Sequence, residues 1–159
     1  MLEIRAINAE DRILVDRFLM GKWFATYMIL RAERVELSGA PGFIAWEDGE
    51  IAGLVTFRIA KGVCEVLSLD SLRENRGIGT ALLMRAVNEA RSAGCERVKL
   101  ITTNDNIGAL RFYQKRGFDI ARIYRNAMDV SRKLKPSIPL IGMDGIPLKH
   151  EIELEMELL

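Results

Sequence analysis

The sequence predicts a mixed domain, α/β or α+β, whose first half is largely antiparallel. Three observations carry this. Short runs with period-two alternation recur, as in LEIRAI (2–7), RVKLITT (97–103) and EIELEMEL (151–158). Two longer stretches carry helical spacing and stop at glycine, at Gly94 and Gly117. The turn Glu47-Asp48-Gly49-Glu50 splits FIAWEDGEIAGLVTFRI into two strands, a clear hairpin signal.

In order, 2–7 reads as the first strand. Asn8 caps a helix with Asp11 in its first turn, and helical pattern runs with interruptions to about Val35, where Gly21 is expected to divide it into two short helices. SGAPG (38–42) is a loop before the hairpin. Ala60-Lys61-Gly62 turns the chain into the strand CEVLSL (64–69). A helix from about Gly77 to Gly94, the strand 97–103, a helix from Asn106 to Arg116 capped by NDN, and the strand 118–124 follow. NAMDVSRKL (126–134) forms a short helix. The connection 135–150 holds three of the four prolines. Connections this long are usually functional, so Pro136, Pro139 and Pro147 are expected to stiffen a lid, with a rigid surface excursion as the alternative. The order β-α-α-β-β-β-α-β-α-β-β is expected to form one domain over 1–159.

Composition narrows the function classes. Lys and Arg number 23 against 22 Asp and Glu, so net charge gives no bias toward nucleic acid or membrane. No apolar run approaches a membrane span. The start, MLEIRAINAEDR, is charged from its third residue and lacks a signal-peptide core, so a cytoplasmic location is expected. Two distant cysteines, Cys64 and Cys95, with the single histidine His150 exclude the usual zinc spacings and any disulfide framework; no metal is expected.

The chemistry concentrates in SLRENRGIGTALLMRAV (71–87), where a strand meets a glycine turn and then a helix. A helix N-terminus presents unpaired N–H groups, and glycine lets a bulky anion reach them. The NTPase phosphate loop does not fit, because Gly79 is followed by Thr80 and Ala81 rather than lysine. The dinucleotide fingerprint does not fit either, since its third glycine falls on Leu82.

The frame Glu74-Asn75-Arg76-Gly77-Ile78-Gly79, followed by Thr80, resembles the acyl-CoA-binding turn of the GNAT superfamily of N-acetyltransferases. That signature runs Gln or Arg, two residues, Gly, one residue, then Gly or Ala. Glu74 departs from it at the first position, and Arg76 is placed to compensate. A second block, Asn106, Ala109, Tyr113 and Gly117-Phe118, is similar to the family's pattern after its fifth strand. Offsets of three and seven put Asn106, Ala109 and Tyr113 on one helical stripe. The resemblance covers essentially the whole chain and extends to a little-characterised bacterial branch of the family.

The resemblance implies a GNAT fold, a mixed central sheet of about seven strands flanked by about four helices, with the fourth and fifth strands splayed apart. It implies that acetyl-CoA pairs its pantetheine arm with the backbone of Leu67, Ser68 and Leu69, by β-augmentation. Its pyrophosphate would sit over residues 75–80, Asn106 and Ala109 would lie along the arm, and Tyr113 would protonate the departing sulfur. The expected activity is direct attack of a primary amine, on a small molecule or peptide, upon the thioester. Neither nucleic acid nor membrane is an expected partner, and the family's common dimers admit a homodimer here. The alternative is a non-catalytic acyl-CoA-binding regulatory module, which has no need of Tyr113.

For the general base, Glu65 leads, since plain alternation sets it on one strand face with Leu67 and Leu69. Asp70 stands nearer the turn and can simply fix it; His150 has a suitable intrinsic pKa but can equally cap the last strand. Cys64 is read as core, since apolar and acidic neighbours raise a thiol's pKa. The family sheet would place EIELEMEL beside 97–103, where Arg97 and Lys99 offer cross-strand countercharges.

Overall fold

A computed structural model of the protein describes residues 1–73 and 77–158. Nine strands and four α-helices alternate along it: β1 (Leu2–Ala6), α1 (Arg12–Trp23), β2 (Tyr27–Leu30), β3 (Glu33–Glu36), β4 (Gly42–Glu47), β5 (Glu50–Ala60), β6 (Val63–Ser71), α2 (Ile78–Ser92), β7 (Arg97–Thr103), α3 (Ile107–Lys115), β8 (Asp119–Tyr124), α4 (Ala127–Leu134) and β9 (Glu151–Glu157). Seven of the strands form one sheet in the order β1-β4-β5-β6-β7-β9-β8, and β2 pairs with β3 separately. The chain divides into two compact units. The first holds Met1–Tyr27 and Glu36–Val98 with Leu158; the second holds Met28–Val35 and Lys99–Glu157.

Three two-residue hairpins set much of this topology. Asp48 and Gly49 (φ 54° and 81°) join β4 to β5, and Lys61 and Gly62 (φ 52° and 75°) join β5 to β6. In both pairs the two residues have positive φ, as in the primed turns whose twist matches the right-handed twist of the flanking strands. The third corrects the expected second helix before Val35. Gly21 does not divide α1, which runs unbroken to Trp23 and stops with Phe24 in the left-handed region (φ 58°). The chain then forms the β2–β3 hairpin, whose turn residues Arg31 and Ala32 have φ of 51° and 59°. The aromatic and apolar run TYMIL, followed by the alternating ERVEL, outweighs the weak helical spacing.

In the first unit, α2 buries Ile78, Leu82, Leu83, Ala86, Val87 and Ala90, one continuous stripe at helical spacing. It lies against β5 at Gly53. A Cβ there would stand 2.9 Å from Leu82 Cδ1 and 3.0 Å from Ile78 Cγ2, so only glycine permits this approach. The Phe43 and Phe57 rings stack with centroids 6.0 Å apart. Cys64 and Cys95 are buried. Burial, with Cys95, Glu65 and Glu89 nearby, pushes the Cys64 thiol up to about 12. It is a core residue, as its neighbours in the sequence implied.

In the second unit, β9 pairs antiparallel with β8. Two of its four acidic residues, Glu151 and Glu153, are buried, while Glu155 is half-buried and Glu157 exposed. Glu153 Oε2 accepts from Arg122 Nη1 at 2.7 Å and Oε1 from the Tyr124 hydroxyl at 3.0 Å, both on β8. Glu151 accepts from the backbone N–H of Arg31. Arg122 thus supplies the countercharge of Glu153, and β9 lies beside β7, as the sequence implied.

The proline-rich connection is braced, which favours the rigid excursion over the lid. Asn104 donates to the Pro147 carbonyl and accepts from the N–H groups of Lys149 and His150. Arg132 donates to the carbonyls of Pro139 and Leu148. The buried carboxylate of Asp105 accepts from Thr103 Oγ1 and from the Met143 N–H. A Cβ on Gly142 would collide with that carboxylate, so glycine is required beside it.

Two predictions follow from this packing. Asp105→Ala should cost about 2–3 kcal/mol, because it removes two hydrogen bonds, from an N–H and a hydroxyl, to a buried charged acceptor. Urea unfolding reads this, and a wild-type midpoint would show that the loop is held without Asp105. At pH 8 an aromatic disulfide reagent should label neither cysteine of the native protein and both in denaturant. The thiol's folded pKa lies above its unfolded value of 9.0, so its contribution to stability is complete below pH 9 and is lost as pH rises through about 12. Prompt labelling of native protein at pH 8 would refute the buried placement.

Candidate functional site

The strand before the glycine turn is not regular. β5 and β6 pair Thr56 with Ser68 and then Phe57 with Val66, leaving Leu67 as an extra residue in β6. A one-residue bulge reverses which face each later side chain takes. Gly53 faces α2, so Val55 and Phe57 do as well, and their partners Leu69 and Val66 join them. Leu54, Thr56 and Arg58 take the opposite face with Asp70, Ser68 and Glu65. Glu65 and Leu69 therefore lie on opposite faces, contrary to plain alternation. The bulge at Leu67 is the reason.

That opposite face carries a row of polar pairs. The Glu65 carboxylate receives Arg58 through Nη2 at 2.7 Å and Nε at 2.8 Å. Ser68 and Thr56 share a buried hydroxyl–hydroxyl bond of 2.6 Å. Asp70 Oδ2 accepts from the indole Nε1 of Trp23, at the end of α1, at 2.8 Å. Burial pushes the Asp70 carboxyl above its ordinary value, against the pull of the Trp23 bond and of Lys22. Trp23, Arg58 and Thr56 are the residues that sequence reasoning missed. Trp23 and Asp70 are 47 positions apart, and no motif links them.

The turn itself ends β6 and begins α2. Glu74, Asn75 and Arg76 lie outside the described residues. Gly77 is the N-cap of α2 with φ 74° and ψ 7°, and as glycine it brings no side chain of its own to cap the helix. Among the described residues nothing lies within 4 Å of where a Gly77 Cβ would stand. Ile78 is buried and anchors the first turn, while Gly79 and Thr80 are half-buried. The helix thus begins on a residue with no side chain, which leaves room for a phosphate to approach its first turn.

In the second unit, Asn106 caps α3, its side-chain oxygen accepting from the Ala109 N–H at 3.1 Å. Its amide NH₂ is the group left to meet a ligand. Tyr113 is half-buried and meets Phe112 and Phe118 edge-on, with ring centroids 5.2 Å and 5.7 Å away. α3 thus aligns Asn106, Ala109 and Tyr113, and β6 with the α2 N-terminus aligns Leu67, Ser68, Leu69, Gly77, Ile78, Gly79 and Thr80. His150 Nδ1 accepts from the Asn126 N–H at 2.8 Å, a structural use of the ring. Among the described residues, no group of three or more His, Cys, Asp or Glu side chains could hold a metal ion. No helix among them is long and apolar enough to cross a membrane.

Comparison with known proteins converges on one family. A Bacillus subtilis (strain 168) protein, described as uncharacterized protein YdhI, is 44% identical over 153 residues, covering 96% of each chain. Among solved structures, an IAA acetyltransferase from Bacillus cereus ATCC 14579 superposes with a TM-score of 0.75 at 23% identity, covering 99% of this chain and all of the other. A GNAT family acetyltransferase from Elizabethkingia anophelis, solved with acetyl-CoA bound, gives 0.70 at 23% identity over 99% of this chain and 98% of the other. The family model described as Acetyltransferase (GNAT) family matches residues 7–118, well over half of the sequence, and the protein belongs to that family.

Proposed function

We propose that the protein transfers the acetyl group of acetyl-CoA to the nitrogen of a primary amine by direct attack, with 1–159 acting as one catalytic domain. The observation that carries this reading is the glycine-initiated N-terminus of α2, with open space beside Gly77 among the described residues, following a bulged strand. The N–H groups of residues 77–80 would receive the pyrophosphate, together with the turn at 74–76. Leu67 has no partner on β5, and with Ser68 and Leu69 it offers its backbone to the amides of the pantetheine arm. Asn106 would contact that arm beside Ala109. Acetyl-CoA bound to a structural neighbour supports this choice of co-substrate.

The chemistry asks two things of the protein. An alkylamine has a pKa near that of lysine, so holding it neutral at pH 7 costs about 4–5 kcal/mol, which a base offsets. The departing thiolate needs a proton, and a phenol, with an ordinary pKa near 10, is still protonated at working pH. Tyr113 serves as that donor. The acceptor is a small molecule or peptide carrying a primary amine.

A thermal-shift comparison of acetyl-CoA, CoA, ATP and NAD tests the co-substrate, and stabilisation by ATP or NAD alone would refute it. Gly77→Asp should nearly abolish acetyl-CoA binding, expected in the micromolar range at about 8 kcal/mol for wild type. The new carboxylate would occupy the phosphate's place, and φ 74° would be strained for it. Unchanged affinity by calorimetry would sink the phosphate seat. Tyr113→Phe should lower turnover about 10²-fold with little change in acetyl-CoA affinity. Weaker binding with undiminished turnover at saturation would reduce Tyr113 to a positioning contact.

A further inference from the structure

We propose that Asp70 is the carboxylate that receives the acceptor amine and takes its proton, held in place by the indole N–H of Trp23. This rests on the acetyl-transfer reading above and names the base that reading requires.

Two carboxylates, Glu65 and Asp70, share the polar face of β6, and their partners separate them. Glu65 is 6% exposed and takes two bonds from one guanidinium. An arginine stays protonated at any working pH, so Glu65 is a neutralised member of an ion pair. An incoming ammonium would have to displace Arg58 and strand its charge. Asp70 is bonded differently. Among the described residues its only hydrogen bond is on Oδ2, from Trp23, and Oδ1 is left to accept. An indole N–H is a neutral donor: it fixes the carboxylate's orientation without cancelling its charge. Between them on this face, the Ser68 and Thr56 hydroxyls satisfy each other. Both Arg58 contacts fall on Glu65 Oε1, so among the described residues each acid has one oxygen without a hydrogen bond; Asp70 is the one whose charge no bonded cation cancels, and it directly follows the Leu67–Leu69 segment.

The surroundings of Asp70 suit a base. The charged group that acts on it is Lys22 from α1, while Arg58 and Glu65 share its sheet face farther along the strands. Burial raises its carboxyl, and an amine held beside it shares the desolvation, which favours the neutral forms of both. The step then balances. Asp70 Oδ1 takes one proton from the ammonium, and the freed nitrogen lone pair forms the C–N bond to the thioester carbon. The C–S bond breaks with its electron pair leaving on sulfur, which is protonated by Tyr113. The second nitrogen proton returns to the Tyr113 oxygen, and Asp70 releases its proton to solvent.

The test uses the full chain and needs no knowledge of the natural acceptor. The protein has two tryptophans, so Trp23→Phe assigns the Trp23 indole N–H signal in a proton–nitrogen NMR spectrum. That signal should titrate with Asp70, at a midpoint above the ordinary carboxylate value of 3.8, and n-butylammonium should move it. Both responses should vanish in Asp70→Asn. In a thiol-release assay with n-butylamine and acetyl-CoA, Asp70→Asn should lower kcat/KM about 10²-fold or more, at least ten times the loss in Glu65→Gln. Trp23→Phe should shift the acidic limb of the pH profile upward, since it removes the bond that lowers the Asp70 pKa. An indole signal indifferent to Asp70→Asn and to butylammonium would overturn the proposal, as would equal losses in the two carboxylate variants. Calorimetry of acetyl-CoA with wild type judges the acetyl-transfer reading separately, so the two failures are distinguishable.

Discussion

The extra residue at Leu67 is the constraint on which the rest of the first unit depends. β5 and β6 are long strands with one face against α2 and the other toward α1. Without the bulge, continuous alternation would put Glu65 on the same side as Leu69, within the apolar layer under α2. A charged carboxylate there would lose its solvation with no cation to replace it. The bulge places Glu65 with Arg58 and keeps the α2 side apolar. It also removes one backbone position from the β5–β6 ladder, a local cost. Two cross-strand side-chain bonds bracket that weak point, Thr56 with Ser68 on one side and Arg58 with Glu65 just beyond it on the other. The strand is irregular where a ligand would join it, and the side chains around it hold that irregularity open.

Glycine enters the same unit for two different reasons. At Gly53 the absent side chain brings α2 close to the sheet, which fixes the helix axis and with it the position of the helix N-terminus. At Gly77 the backbone adopts φ 74° with open space beside it, so the helix begins without a side-chain cap. An N-cap serine or aspartate in its place would satisfy the first-turn N–H groups and stabilise the isolated helix by about 1 kcal/mol. Glycine forgoes that contribution and leaves the space beside the helix start open to an anion.

Much of this was legible in local sequence, and the reasons are specific. Asp48-Gly49, Gly94 and Gly117 announce their turns because each needs a left-handed backbone that glycine supplies cheaply. Asn106 caps α3 as its place before the helical run implied, and the second block falls on one helix. What was hidden depends on other parts of the chain. The β2–β3 hairpin turns on Arg31 and Ala32, neither of which carries a turn signal, at a conformational cost met by packing elsewhere. The bulge leaves no mark in VCEVLSLDS, because it is visible only against the register of β5. The pairing of Glu153 with Arg122 and Tyr124 likewise needs β8 and β9 to be aligned before it can be seen.

Two carboxylates five residues apart on one strand are thus given opposite electrostatic characters by what donates to them. A guanidinium makes Glu65 part of the scaffold: the pair ties β5 to β6, and its charge is spent. An indole orients Asp70 without bringing a cation to cancel its charge. The difference does not come from the acids, whose ordinary pKa values are close, but from the donor's charge. The donors come from different places. Arg58 is supplied by the neighbouring strand, so its bond forms with the ladder. Trp23 is supplied by the last turn of α1, which ends in a left-handed Phe24 rather than continuing. Where α1 stops therefore decides whether Asp70 has a donor at all. The helix that Gly21 fails to break reaches far enough to deliver it.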